Sequence, residues 1–361
     1  MGDRFRLLLI IASVLSLAAL TSNVYAALPL FVFGDSLVDS GNNNFIPSLA
    51  RANFPPNGID LPSRTATGRF GNGKIVSDII SDYMGVPSVL EILSPFARGA
   101  NLLRGANFAS AGAGILEDTG VIFVQRLTIP DQFRLFQEYK GQITSLVGPA
   151  AAARIVADGL YSFTIGGNDY INNYLLPVSV RAAQFSPAQF NTLLIATLRQ
   201  QLRTVYALGA RKVTVGNIGP IGCIPSQLSQ RSRDGQCVQQ LNDYVLNFNA
   251  LLKNMLVELN QELPGALFAY LNGFDILKEY IDNPAQGGFA VSNKACCGQG
   301  PYNGVLVCTA LSNLCPDRSK YVFWDAFHPS QSFNYIFTNR IINGGPNDIS
   351  PVNLAQILAM P

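Results

Sequence analysis

Leu30-Phe31-Val32-Phe33-Gly34-Asp35-Ser36 decides how this chain is read. A short apolar run stops at a glycine, and a carboxylate and a hydroxyl follow at once. A run of strand length without polar alternation suits a strand covered on both faces, as in a parallel sheet. The same punctuation recurs downstream. Ala106 to Ala109 reads as a second short strand, ahead of Ala111-Gly112-Ala113-Gly114. Tyr161 to Ile165 reads as a third, ended by Gly166-Gly167-Asn168-Asp169, while Val213 to Val215 and Leu267 to Leu271 read as the fourth and fifth. Helical patterns lie between them. Ser186 can cap a helix with Pro187 in its first turn, and Phe190, Leu194, Leu198, Leu202, Val205 and Leu208 then recur at helical spacing until Gly209. A second amphipathic helix runs from about Val238 to Leu259, and a last one from near Ser330 to before Gly344. Strands alternating with helices predict an α/β class with a parallel sheet.

In an open parallel sheet, ligands sit beyond the carboxyl ends of the strands. The polar clusters after the first three strands belong at that rim, as does Gly216-Asn217-Ile218-Gly219-Pro220. Outside this region the chain is plain. Charged residues are 13% of the total and the net charge is +2, with no Lys/Arg cluster, so neither nucleic acid nor an anionic membrane is an expected partner. At the other end of the reading, Arg4 and Arg6 precede an uncharged, mostly apolar run from Leu7 to Leu20, and Val24-Tyr25-Ala26 follows. That is the pattern of a secretory signal peptide over residues 1–26, cleaved after Ala26. A spanning helix needs about 20 apolar residues, so stable membrane insertion after cleavage is not expected. Residues 27–361 are then expected to form a single domain.

All six cysteines lie in the second half, and an even number in a secreted chain reads as disulfides. Cys223 and Cys237 are expected to pair. Cys296 and Cys297 are adjacent and are expected to bond to Cys308 and Cys315 in an order the spacing leaves open. The stretch from Ala295 to Cys315 reads as a loop. Zinc would want histidines nearby, and the chain has one His in total. No Asn-x-Ser/Thr sequon occurs, so N-glycosylation is not expected.

That one histidine, His328, must be the base in any Ser-His mechanism. It stands in Asp325-Ala326-Phe327-His328-Pro329, and a carboxylate three residues back can accept the Nδ1 proton and leave Nε2 free. Ser36, just past an apolar strand, is placed like a strand-turn nucleophile, although Gly, Asp and Ser also favour ordinary turns. No Gly-x-Ser-x-Gly elbow occurs, which disfavours a standard α/β-hydrolase. Candidate oxyanion donors are the N–H groups of Ser36 and Gly112 and the side-chain amide of Asn168.

Taken together these blocks resemble the plant-type GDSL (SGNH) esterase/lipase family. Gly34-Asp35-Ser36-Leu37-Val38-Asp39-Ser40-Gly41-Asn42-Asn43 is similar to its first motif, and Asn107-Phe108-Ala109-Ser110-Ala111-Gly112-Ala113-Gly114 to its second. Ile165-Gly166-Gly167-Asn168-Asp169 resembles the third, and Asp325-Ala326-Phe327-His328-Pro329 the last. Gly68-Arg69-Phe70-Gly71-Asn72-Gly73 and Lys294-Ala295-Cys296-Cys297-Gly298 look like plant-type signatures. The resemblance covers essentially the whole chain after residue 26, in order. It implies a three-layer α/β/α fold with a flavodoxin-like, five-stranded parallel sheet. It also implies a catalytic set of Ser36, Asp325 and His328, with an oxyanion hole from Ser36, Gly112 and Asn168. The implied activity is hydrolysis of carboxylic esters, of lipids or acylated carbohydrates, by a secreted enzyme of the cell wall or apoplast. An acyltransferase with the same acyl-enzyme and a catalytically silent wall-binding protein are the alternatives. No cofactor or metal is expected. Pocket walls are expected from Phe45 to Pro56 and from Tyr170 to Pro177.

Overall fold

The computed structural model describes residues 28–305 and 307–360. The expected signal segment, residues 1–26, lies outside the described residues. Five strands pair in parallel: β1 (Leu30–Gly34), β2 (Gly105–Asn107), β3 (Leu160–Thr164), β4 (Lys212–Gly216) and β5 (Leu267–Leu271). Their spatial order is β2-β1-β3-β4-β5, the flavodoxin-like order that the resemblance implied. The expected five-stranded sheet is in fact six-stranded. A two-residue strand, β6 (Ile349–Ser350), adds to the free edge of β5 and runs antiparallel to it. A dipeptide pairing carries no periodicity, so the sequence gives no sign of it.

Alternation along the strands sorts the side chains into two layers. On one face Phe31, Phe33, Tyr161, Phe163, Val213 and Val215 join one core with residues of Ile129–Val147, Pro149–Asp158, Pro187–Ala207 and Gln239–Glu262. Phe33 stacks between Phe108 and Phe163, 4.9 Å from each ring centroid. On the other face Leu30, Val32, Leu160, Ala269 and Leu271 pack with residues of Val76–Tyr83, Gly273–Asp282, Gln331–Asn343 and Leu354–Leu358. The sheet is therefore the middle of three layers.

Helix Pro187–Ala207 begins where expected, with the Ser186 hydroxyl accepting the Gln189 N–H and Gln189 reaching back. The helix expected from Val238 to Leu259 runs Gln239–Glu262 and buries Leu241, Val245, Phe248, Leu252 and Leu259. Gln331–Asn343 is not the last helix, because Leu354–Leu358 follows it, capped by Asn353. Within the cysteine-rich loop, Cys297–Gly298 and Asn313–Leu314 form a small antiparallel ladder. Cys223 bonds to Cys237, Cys296 to Cys315 and Cys297 to Cys308.

The end of β1 fixes the geometry of everything above it. Gly34 has φ +142°, and a Cβ there would lie 2.0 Å from the Thr164 carbonyl oxygen on β3. That oxygen accepts the Asp35 N–H at 3.1 Å. The Gln132 side-chain amide holds Gly34 from the other side, accepting its N–H and donating to its carbonyl. Only glycine combines that backbone angle with that approach.

Beyond the turn lies a buried polar lattice. Asp39 Oδ1 accepts the N–H groups of Gly41 and Asn42, and Oδ2 accepts that of Ala111. The Asn42 amide donates to the carbonyls of Asn107 and Ala109, and the Asn43 amide to those of Ala50 and Ala111. Asp169 receives Ile115 N–H, Leu116 N–H and the Thr119 hydroxyl. The loops after β1, β2 and β3 are thus tied to one another from below.

Two expected outcomes follow from these constraints. Gly34→Ala should cost more than about 1 kcal/mol of stability, read as a lower urea midpoint; an unchanged midpoint contradicts the close-approach argument. Burial pushes the Asp35 carboxyl up to about 7 against the lowering Leu37 N–H and the nearby His328, and lifts Asp39 and Asp169 to about 6 against their own N–H donors. A carboxyl whose folded pKa is raised keeps its proton longer when folded, so its contribution to stability is full below about pH 4 and lost as the pH rises toward 7. Asp35→Asn should flatten that decline between pH 4 and 7 in denaturant titrations; the same slope in both proteins contradicts it.

Candidate active site

Ser36 is the first residue beyond Gly34 that is not fully buried. The Asp35 carbonyl accepts the N–H groups of Val38 and Asp39, and its carboxylate Oδ1 accepts that of Leu37 at 3.0 Å. This tight turn leaves Ser36 half-buried, with its Oγ toward the loop after Phe323. There His328 Nε2 lies 2.8 Å from Ser36 Oγ, across 292 residues of chain.

The His328 loop is held as firmly as the serine turn. The Trp324 N–H donates to the His328 carbonyl, and Phe323 bridges to Pro329. Asp325 Oδ1 accepts the N–H groups of Phe327 and His328, at 2.9 and 2.8 Å. Its two oxygens lie 2.8 and 2.9 Å from His328 Nδ1. Asp325 is 3% exposed and His328 6%. Burial alone would raise the Asp325 carboxyl, but the charge and hydrogen bonds of His328, with the two backbone donors, hold it below the usual range. An ionised Asp325 fixes the Nδ1–H tautomer and leaves the Nε2 lone pair facing Ser36 Oγ.

Trp324, next to Asp325, anchors this loop in the cysteine cluster. It is fully buried against the Cys296–Cys315 and Cys297–Cys308 disulfides, and its indole N–H donates to Asn57 at 3.0 Å. The backbone N–H groups of Cys296 and Cys297 donate to the carbonyls of Phe323 and Trp324.

Gly112 and Asn168 line the same cleft as Ser36 and His328. Neither the Ser36 N–H nor the Gly112 N–H has an acceptor among the described residues. Gly112 has φ +84°, and a Cβ there would meet the Phe123 ring at 2.6 Å. The Asn168 amide nitrogen donates to the Ala113 carbonyl at 2.9 Å, and its oxygen accepts from Asn172. A primary amide has two N–H groups, so one remains for a ligand. All five residues singled out from the sequence therefore converge.

The cleft measures about 310 Å³. Its walls are mostly apolar: Leu49, Phe54, Phe70, Phe123, Ile171, Ile218, Ile221 and Phe327 among them. Both expected wall segments contribute, the first through Leu49 to Arg51 and Phe54, the second through Ile171 and Asn172. Phe45 faces solvent instead, and Tyr170 is buried in the core. The segment after β4 supplies Asn217 to Ile221. Asp39, Asn42, Asn43 and Asp169 stand inside the sequence motifs, but nothing local to them marks the role they take here. Gln132 and Arg51 were not singled out at all. Among the described residues no group of three or more His, Cys, Asp or Glu could hold a metal ion, and no helix is long and apolar enough to cross a membrane.

A model of the family described as GDSL-like lipase/acylhydrolase matches residues 30–341. Two similar proteins come from Arabidopsis thaliana. The chain is 46% identical to GDSL esterase/lipase LTL1 over 331 residues, 91% of this chain and 90% of that protein. It is 45% identical to GDSL esterase/lipase At4g28780 over 355 residues, 98% of this chain and 97% of that one. The chain belongs to the GDSL lipase/acylhydrolase family, and it is a carboxylic ester hydrolase.

Proposed function

We propose that Ser36 is the nucleophile of this esterase, His328 its general base and acid, and Asp325 the group that orients and charges-balances His328. The observation that carries this reading is the 2.8 Å approach of Ser36 Oγ to His328 Nε2, with Nδ1 on a buried carboxylate. His328 takes the Ser36 proton as Oγ bonds to the ester carbonyl carbon, and the carbonyl electron pair moves onto oxygen. The N–H groups of Ser36 and Gly112 and the Asn168 amide hold that oxyanion. Collapse breaks the carbon–oxygen bond to the alcohol, which leaves with the proton from His328. Water repeats the sequence on the acyl-enzyme and frees the acid.

The apolar walls support an acyl chain or another largely apolar group as the bound portion. Residues 1–26 act as a secretory signal, and 27–361 form one hydrolase domain that works outside the cell, in the wall or apoplast. Three disulfides support an oxidising destination.

The test is hydrolysis of short and long p-nitrophenyl esters. Ser36→Ala and His328→Ala should each abolish turnover, and Asn168→Ala should lower kcat by roughly 10²–10³, as for one lost oxyanion donor. Full activity in folded Ser36→Ala rules out the nucleophile, and normal kcat in Asn168→Ala removes that residue from the oxyanion hole.

A further inference from the structure

Arg51 is the one Lys or Arg among the residues lining the cleft. It stands on the wall segment with Leu49, Ala50 and Phe54, in a cleft that also contains Ser36 and His328. The wall is fixed: Leu49 N–H donates to the Phe123 carbonyl, and the Ala50 carbonyl accepts from Asn43. The backbone just before Arg51 is thus tied to Phe123 and, through Asn43, to the polar lattice beside Gly112, so Arg51 does not stand on a free loop.

A guanidinium has five N–H donors and a permanent charge. In this protein the Arg51 guanidinium donates to the Ile46 carbonyl through Nη2, the one side-chain hydrogen bond it makes among the described residues. Its Nε is buried with no partner. It takes part in none of the ion pairs found among the described residues, although Arg69, Arg181, Arg199, Arg203, Arg318 and Arg340 all do. Arg51 is half-buried at the cleft wall; its charge has no carboxylate partner among the described residues and is still within reach of a ligand in the cleft. With Nε enclosed, the donors left for a ligand are those of Nη1 and the second N–H of Nη2, and this fork suits a planar or tetrahedral oxyanion that accepts two parallel N–H bonds.

We infer that Arg51 selects ester substrates that carry a second, anionic group, a carboxylate or a phosphate, and binds that group in the cleft. This inference rests on the Ser36 reading of the site, and it names a substrate class for it. Arg51 acts as a specificity residue. It holds the anionic substituent while the ester carbonyl lies at Ser36, and it takes no part in bond making.

Two matched substrate pairs test it at pH 7. One pair is the p-nitrophenyl monoester of glutaric acid against p-nitrophenyl pentanoate, which puts a carboxylate on the acyl side. The other is 1-butyryl-glycerol-3-phosphate against 1-butyrylglycerol, which puts a phosphate on the alcohol side. The quantity read is the ratio of kcat/KM for the anionic ester to that for its neutral partner. In the wild-type enzyme at least one pair should give a ratio of one or more, whereas an apolar cleft without a counter-charge would exclude the anion. Arg51→Gln should lower that ratio by about tenfold or more, chiefly through KM, and Arg51→Lys should restore part of it. The pair that responds distinguishes carboxylate from phosphate. A merely structural Arg51 lowers both members of a pair together and leaves the ratio where it was, which overturns the proposal. So does a wild-type enzyme that rejects both anionic esters, a result that needs no variant to fold. Failure of the Ser36 reading is separate: it shows as turnover of the neutral esters by Ser36→Ala.

Discussion

Asp39 accepts backbone N–H groups from Gly41, Asn42 and Ala111, and in doing so joins the turn after β1 to the loop after β2. The active-site end of the sheet depends on this contact and its neighbours. Ser36 lies on one side of the junction and Gly112 on the other, so their separation is set by buried hydrogen bonds and not by side-chain packing alone. Asn42 and Asn43 repeat the connection with four further donations, two of them to Ala50 and Ala111. A buried polar network of this kind is stable only when its members are satisfied. Here it buys a rigid floor beneath a cleft whose walls are mostly apolar.

The second half of the site arrives by a different route. Asp325 and His328 follow a short strand, Tyr321–Phe323, outside the main sheet and paired with Val291–Ala295. Their loop is clamped by Trp324, which is enclosed by two disulfides and bonded to Asn57. The cysteine cluster thus lies one residue from the carboxylate that orients the histidine. Its position gives a physical reason for concentrating cross-links in the last third of the chain: they stiffen the partner that must meet Ser36 from far away in sequence. Flavodoxin-like strand order accounts only for the first half: β1 lies between β2 and β3, which puts the loops carrying Ser36, Gly112 and Asn168 side by side at one rim.

Much of this was legible from residues alone, for identifiable reasons. Strands buried on both faces read as apolar runs, which is why β1, β3, β4 and β5 fall within a residue or two of their expected ends. One histidine leaves a single candidate base for any Ser-His mechanism. Ser186-Pro187 and Gly209 bracket a helix that forms within those signals. What stayed hidden had no local signature. Adjacent Cys296 and Cys297 make either pairing with Cys308 and Cys315 equally compatible with spacing. Strand β6 is two residues long. Asp39 and Asp169 look like ordinary turn residues until the loops are assembled around them. Helix Ile129–Val147 carries a local signal too, the Thr128 to Asp131 capping box with Pro130 in the first turn. Arg51 looks like any surface arginine until the cleft is seen.

The central claim is that the fold activates one particular hydroxyl among many. Treatment of the folded protein with a fluorophosphonate, followed by peptide mass mapping, tests that claim most directly. The account predicts one adduct, on Ser36, whose formation is lost when His328 is replaced by alanine. An adduct on another residue, or ester hydrolysis by a protein whose Ser36 remains unlabelled, contradicts it.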